Sequence, residues 1–131
     1  MLTTITAPHA PAAIGPYSQA IAANGFLYLS GQIPLVPDTG ELLLGDVAAQ
    51  TEQVVQNIAA VLSAGGSDFQ HIIKTTCFLQ NMSDFAEFNA VYEKHFISKP
   101  ARSCVAVAAL PKGALVEIEV IAAIISKGVL Q

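Results

Sequence analysis

Apolar residues recur at helical spacing most clearly in the middle of the chain. Val47, Thr51, Val54, Val55, Ile58, Val61 and Leu62 fall on one face of a helix. Asp46 is suited to cap its start, and Gly65-Gly66 supplies a left-handed stop. A second helix is predicted from Ser83-Asp84 to about Phe96, with Glu87 three residues after Asp84 in the manner of a capping box. β-branched and aromatic enrichment predicts strands over 2–6, 26–30, 72–79, 103–107 and 115–125. Gly15-Pro16-Tyr17-Ser18-Gln19 is a loop by composition. Pro34, Pro37 and Asp38-Thr39-Gly40 mark turns, and Leu110-Pro111-Lys112-Gly113 is the turn between the last two strands.

The predicted order is strand, strand, helix, strand, helix, strand, strand. It describes an α+β domain over residues 1–131, with two helices on one face of a mixed β-sheet. No helix remains to cover the other face. Composition sharpens this point, because 53% of residues are hydrophobic and only 12% charged, about half the usual charged fraction. A small globule with so little charge cannot clothe itself in polar groups, so part of its apolar surface is expected between subunits.

The first 37 residues contain no Asp, Glu, Lys or Arg. Pro8, Pro11, Pro16, Gln19, Asn24, Ser30 and Gln32 nevertheless interrupt them before the roughly 18 apolar residues of a membrane span accumulate. No basic segment opens a signal peptide, so a cytoplasmic protein is expected. Cys77 and Cys104 lie in apolar segments and read as reduced thiols. The net charge is −4, and Lys74, Lys94, Lys99, Lys112 and Lys127 are scattered, so no basic stripe supports nucleic-acid binding.

Arg102 is the sole arginine and opens Arg102-Ser103-Cys104-Val105-Ala106-Val107, a segment otherwise fit for a buried strand. A buried guanidinium needs an anionic or polar partner, and its planar fork suits a carboxylate. That partner is either a ligand or Glu117 or Glu119 of the following strand. Strand periodicity puts those two carboxylates on one face, and Arg102 and Cys104 on one face of their own strand. A hairpin around Pro111-Lys112 would bring the pairs close. The glutamates then read either as a solvated pair or as a general base for water beside an anion site. Tyr17 is a packed loop aromatic or a catalytic phenol. Cys104 is an inert thiol or one activated by Arg102. His9, His71 and His95 show no metal-ligand spacing, and no G-x-S-x-G elbow is present.

Several segments together resemble the RidA/YjgF family over nearly the whole chain. They are Ala10–Gln19, Ser30-Gly31-Gln32-Ile33-Pro34, Asn89-Ala90-Val91-Tyr92, Pro100-Ala101-Arg102-Ser103-Cys104-Val105, and Leu110-Pro111-Lys112 followed by Val116-Glu117-Ile118-Glu119. The resemblance implies a chorismate-mutase-like fold assembled as a homotrimer with clefts between subunits. It implies deamination of 2-aminoacrylate, 2-iminopropanoate and 2-iminobutanoate, released by pyridoxal-phosphate dehydratases, to 2-keto acids and ammonia. Neither a cofactor nor a metal is implied.

By position, Arg102 would hold the substrate carboxylate and Glu117 would orient or deprotonate water, with Glu119 structural. Tyr17 would close the cleft opposite Arg102 of a neighbouring subunit. Ser30, Gly31, Asn89 and Cys104 would line the pocket, Gly31 and Cys104 through backbone groups. The segment His95–Pro100 is shorter than in the best-known relatives, and Val105-Ala106-Val107-Ala108-Ala109 carries alanines where relatives carry charge. Two other functions attach to the resemblance: an endoribonuclease or translation inhibitor, and a non-catalytic keto-acid binder or chaperone. Acidic charge and the lack of a histidine acid–base pair oppose the first, and a second acid beside the anion site opposes the others.

Overall fold

The first long helix, α1 (Val47–Ala64), buries the face its periodicity predicts. Val54, Ile58 and Val61 are wholly buried, each contributing ~1.5–3 kcal/mol relative to exposure. Asp46 caps it as expected, accepting from the Ala49 N–H at 2.9 Å. The stop differs in detail. Gly66, at φ 81°, takes the left-handed conformation, whereas Gly65 stays right-handed. Gly65 is small for another reason: a Cβ there would meet Leu27 side-chain atoms at 2.5–2.7 Å. The second helix, α2 (Phe85–His95), follows a short 3-10 turn over Met82–Asp84. Asp84 makes no side-chain capping bond, so the expected capping box does not form.

The computed structural model describes residues 1–125; residues 126–131, including Lys127 and the end of the predicted domain, lie outside the described residues. The strands are β1 (Thr3–Ile5), β2 (Ala20–Ala23), β3 (Phe26–Gln32), β4 (Ile72–Leu79), β5 (Ala101–Ala106) and β6 (Val116–Ala123). They form one mixed sheet in the order β1-β2-β3-β6-β4-β5. Among the described residues only β4 and β5 pair in parallel, joined through α2, as a crossover connection requires. Both helices pack on one face, with α1 over β3 and β6 and against α2. The α+β class and its helical layer are as expected. Among the described residues no helix is long and apolar enough to cross a membrane.

The strand layout departs from expectation. The alanine-rich strand β2 was not foreseen; it forms between β1 and β3, which supply pairing on both sides. More consequentially, β5 and β6 are not a hairpin, because β4 lies between them. β5 is thus an edge strand, half-exposed along its length rather than buried.

The core lies between helices and sheet. Val116, Ile118 and Val120 of β6 and Thr75, Cys77 and Leu79 of β4 point into it. Among the described residues nothing covers the opposite face. Tyr28 and Val105 are 45% and 46% exposed there, and Phe78 and Ile121 are half-buried between them.

Candidate active site

Arg102 lies directly beside Thr75 in the β4–β5 register and so shares the helix-facing side of the sheet. Its side chain runs along α2. Nη1 donates to Asn89 Oδ1 at 2.7 Å, and the guanidinium carbon sits 4.6 Å from the Tyr92 ring centroid and 5.5 Å from that of Phe85. Among the described residues no carboxylate pairs with Arg102. The internal ion pair with Glu117 or Glu119 is therefore not formed. A hollow of about 460 Å³ opens beside it, lined by Asn89, Tyr92, Ile97, Pro100 and Arg102 among others. Cys104, two residues on, shares this side. Burial pushes its thiol pKa up, and Arg102 only partly opposes that. Cys77, its register partner, is raised to about 12 by burial, so neither thiol carries the depressed pKa of a nucleophile.

Glu117 projects from the other face. Along β3 and β6 the register runs from Leu29 opposite Val120 to Gln32 opposite Ile118, which leaves Ser30 and Gly31 as a bulge facing Glu119. Such an extra residue bends the strand and re-aims its side chains. Here the bulge brings Gly31 against Glu117, whose Cδ would lie 2.9 Å from a Cβ on Gly31. Burial raises the Glu117 pKa, and the nearby Glu119 charge adds to the shift. A carboxyl so placed is a better proton acceptor than an exposed glutamate.

The loop above this carboxylate is held by polar side chains. Ser30 Oγ donates to the Ser18 carbonyl at 2.6 Å, and Ser30 N–H to the Gln19 carbonyl at 3.0 Å. Gln19, 5% exposed, accepts from Ala7 N–H at 2.6 Å and donates to the carbonyls of Ala7 and Pro11. Tyr17 is thereby presented at 54% exposure. From α1, Asn57 donates to the Ile33 and Leu35 carbonyls, while Gln50 bridges the Leu43 carbonyl and Leu115 N–H. The bonds of Gln19, Ser30 and Asn57 fix the rim of a cavity of about 870 Å³ whose walls include Tyr17, Ser30, Gly31, Glu117, Glu119 and Lys112.

The candidate residues thus fall into two groups. Tyr17, Ser30, Gly31 and Glu117 share one cavity, and Arg102 and Asn89 share the other hollow. The expected closeness of Arg102 and Glu117 within one chain is incorrect, since they occupy opposite faces with β4 between their strands. Phe85, Tyr92 and Gln19 were missed. Aromatic residues on an amphipathic helix read as core, and a glutamine in a loop carries no periodic signal.

Comparison with known proteins places the chain in a family. The family model described as Endoribonuclease L-PSP matches residues 7–124. AldR of Lactococcus lactis is 59% identical over 114 residues, covering 86% of this chain and 90% of that protein. The chloroplastic Reactive Intermediate Deaminase A of Arabidopsis thaliana is 47% identical over 119 residues, covering 90% of this chain and 64% of that one. The structure of E. coli TdcF with bound serine superposes with a TM-score of 0.86 at 42% identity, over 92% of this chain and 98% of that one. With a family model spanning every candidate residue and relatives at this level of identity, the chain belongs to the RidA/YjgF family.

Proposed function

We propose that the protein is a deaminase of small reactive imino acids, working as a homotrimer with each site built from two subunits. The observation that carries this reading is Arg102, a caged guanidinium with no carboxylate partner among the described residues. A cation held this way is suited to an incoming carboxylate, bound by its free N–H groups. A deaminase among the relatives, and a related structure holding serine, a small molecule with a carboxylate, support the same chemistry.

Arg102 anchors the 2-imino acid by its carboxylate. Glu117, from a neighbouring subunit, takes a proton from water as its oxygen bonds to the C=N carbon. Glu117 passes that proton to the nitrogen, which gives the carbinolamine. The hydroxyl proton then moves by way of Glu117 to the amino nitrogen as the C–N bond breaks and the carbonyl forms, giving ammonia and a 2-keto acid. 2-Aminoacrylate enters after tautomerising to 2-iminopropanoate, and 2-iminobutanoate reacts directly. Because the C=N carbon is already electrophilic, positioning supplies most of the catalysis and the reaction calls on no cofactor. Tyr17 closes the cleft, Ser30 secures its loop, Asn89 steadies Arg102, and Gly31 and Cys104 contribute backbone.

The two separated groups and the apolar face left open among the described residues support this assembly. A second copy seated on that face buries Tyr28 and Val105 and brings a foreign Arg102 towards Glu117. The dehydratases that release these imines are pyridoxal-phosphate enzymes, and the protein is assigned to the cytoplasm beside them. The wall residues Asp38, Glu117 and Glu119 against one lysine, Lys112, disfavour a polyanion such as RNA.

The test is a coupled assay in which a threonine or serine dehydratase generates the enamine and semicarbazide traps the surviving imine. Wild type is expected to suppress trapping and Arg102→Ala to lose that effect while remaining assembled. Full activity in the variant would refute the assignment.

A further inference from the structure

Arginine side chains are long and flexible, and those that bind ligands are commonly braced by a carboxylate. Here such a brace would neutralise the charge and occupy the N–H groups the substrate needs. The structure solves this differently. Tyr92 lies beneath the guanidinium at 4.6 Å and is itself stacked on Phe96, with ring centroids 4.1 Å apart and planes 10° from parallel. Phe96 is 2% exposed and meets Phe69 edge-on at 5.2 Å. The Tyr92 hydroxyl is tied to Thr75 Oγ1 at 2.8 Å, and Thr75 is the register partner of Arg102. The ring is therefore fixed from the core and from the sheet, and its face meets the cation. A π face attracts a cation without accepting its N–H bonds.

We propose that Tyr92 is the positioning residue of Arg102, holding the guanidinium in its carboxylate-receiving orientation by cation–π stacking and leaving its charge uncompensated for the substrate. Phe85, at 5.5 Å, flanks the same cation. The inference rests on the deaminase reading for its substrate, but the stacking itself can be tested without turnover.

Arg102 is the sole arginine, so its Nε–Hε resonance is unambiguous in ¹⁵N-edited NMR. In wild type it is expected upfield, shifted by the Tyr92 ring current. Tyr92→Leu should move it back downfield, leaving the smaller contribution of Phe85, and weaken pyruvate, the probe carboxylate, by about tenfold. Tyr92→Phe should keep both properties, and neutral pyruvamide should bind all three proteins equally weakly. Where Tyr92→Leu fails to fold, Tyr92→trifluorophenylalanine preserves the ring's shape but drains its face of negative charge. It should bind pyruvate more weakly than Tyr92→Phe, and equal affinity overturns the proposal.

An unmoved Arg102 resonance and wild-type pyruvate affinity in Tyr92→Leu also overturn it, while imine turnover by wild type would leave the deaminase reading standing. Conversely, Tyr92-dependent pyruvate binding without any imine turnover sustains the positioning role and removes the deaminase reading.

Discussion

The carboxylate of Glu117 lies where the side chain of any residue but glycine would begin at position 31: a Cβ on Gly31 would stand 2.9 Å from Glu117 Cδ and closer still to Oε2. The strand bulge and the glycine thus act together, one turning the backbone and the other leaving room for the acid.

Gly31→Ala is accordingly expected to push Glu117 out of place. Gly31 has no left-handed backbone conformation to lose, so the fold should tolerate the change. A displacement of about 1 Å can cost on the order of a hundredfold in rate. A fall of that size in kcat with Tm nearly unchanged is expected, and wild-type kcat would remove Glu117 from the reaction.

The pH profile should carry the mark of Glu117. Its pKa is raised, first by burial and then by Glu119, so the acidic limb of activity should lie above the ordinary glutamate range. Glu119→Gln removes the smaller cause and should move that limb part of the way down. Stability follows the opposite limb. A raised folded-state pKa gives stability that is present below the unfolded value and lost as pH rises through the folded one. Glu117→Gln should therefore melt higher than wild type near pH 8, with the difference vanishing towards pH 4.

Subunit mixing checks the division of the site. Arg102→Ala and Glu117→Gln proteins are each expected to be inactive. Unfolded together in equal amounts and refolded, they should regain up to about a quarter of wild-type activity, because random assembly pairs an intact Arg102 with an intact Glu117 in that share of sites. No recovery in verified hybrid trimers would place both groups in one chain.

Gln19 should prove a stability residue as much as a functional one. It satisfies three backbone groups of Ala7 and Pro11 from a buried position. Gln19→Ala should cost about 2 kcal/mol in urea denaturation at fixed protein concentration, and should raise KM by loosening the Tyr17 loop.

Much of the fold was legible because helical periodicity is local. The stripe from Val47 to Leu62 announces α1 without reference to anything else. The order of strands is not local. A short turn at Pro111-Lys112 argues for a hairpin, yet the crossover through α2 places β4 between β5 and β6, and no pattern within those segments records that. The face carrying Arg102 was misjudged for the same reason: periodicity says which residues share a face of one strand, but not how two strands' faces relate. The alternation of Glu117 with Val116 and Ile118 was read correctly, while the bulge that aims Ser30 and Gly31 follows from pairing alone. Family resemblance named the candidate residues, and the structure added the aromatic support that resemblance did not mention.

The separation of Arg102 and Glu117 on opposite faces of the sheet has a consequence for the life of a single polypeptide. Under the proposed reaction, a newly made chain is chemically inert until it meets its siblings. Specific activity should therefore fall on dilution below the dissociation constant of the assembly, and recover on concentration. A lesion such as Tyr28→Asp, touching no reacting atom, would score in a genetic screen as a loss of the enzyme itself.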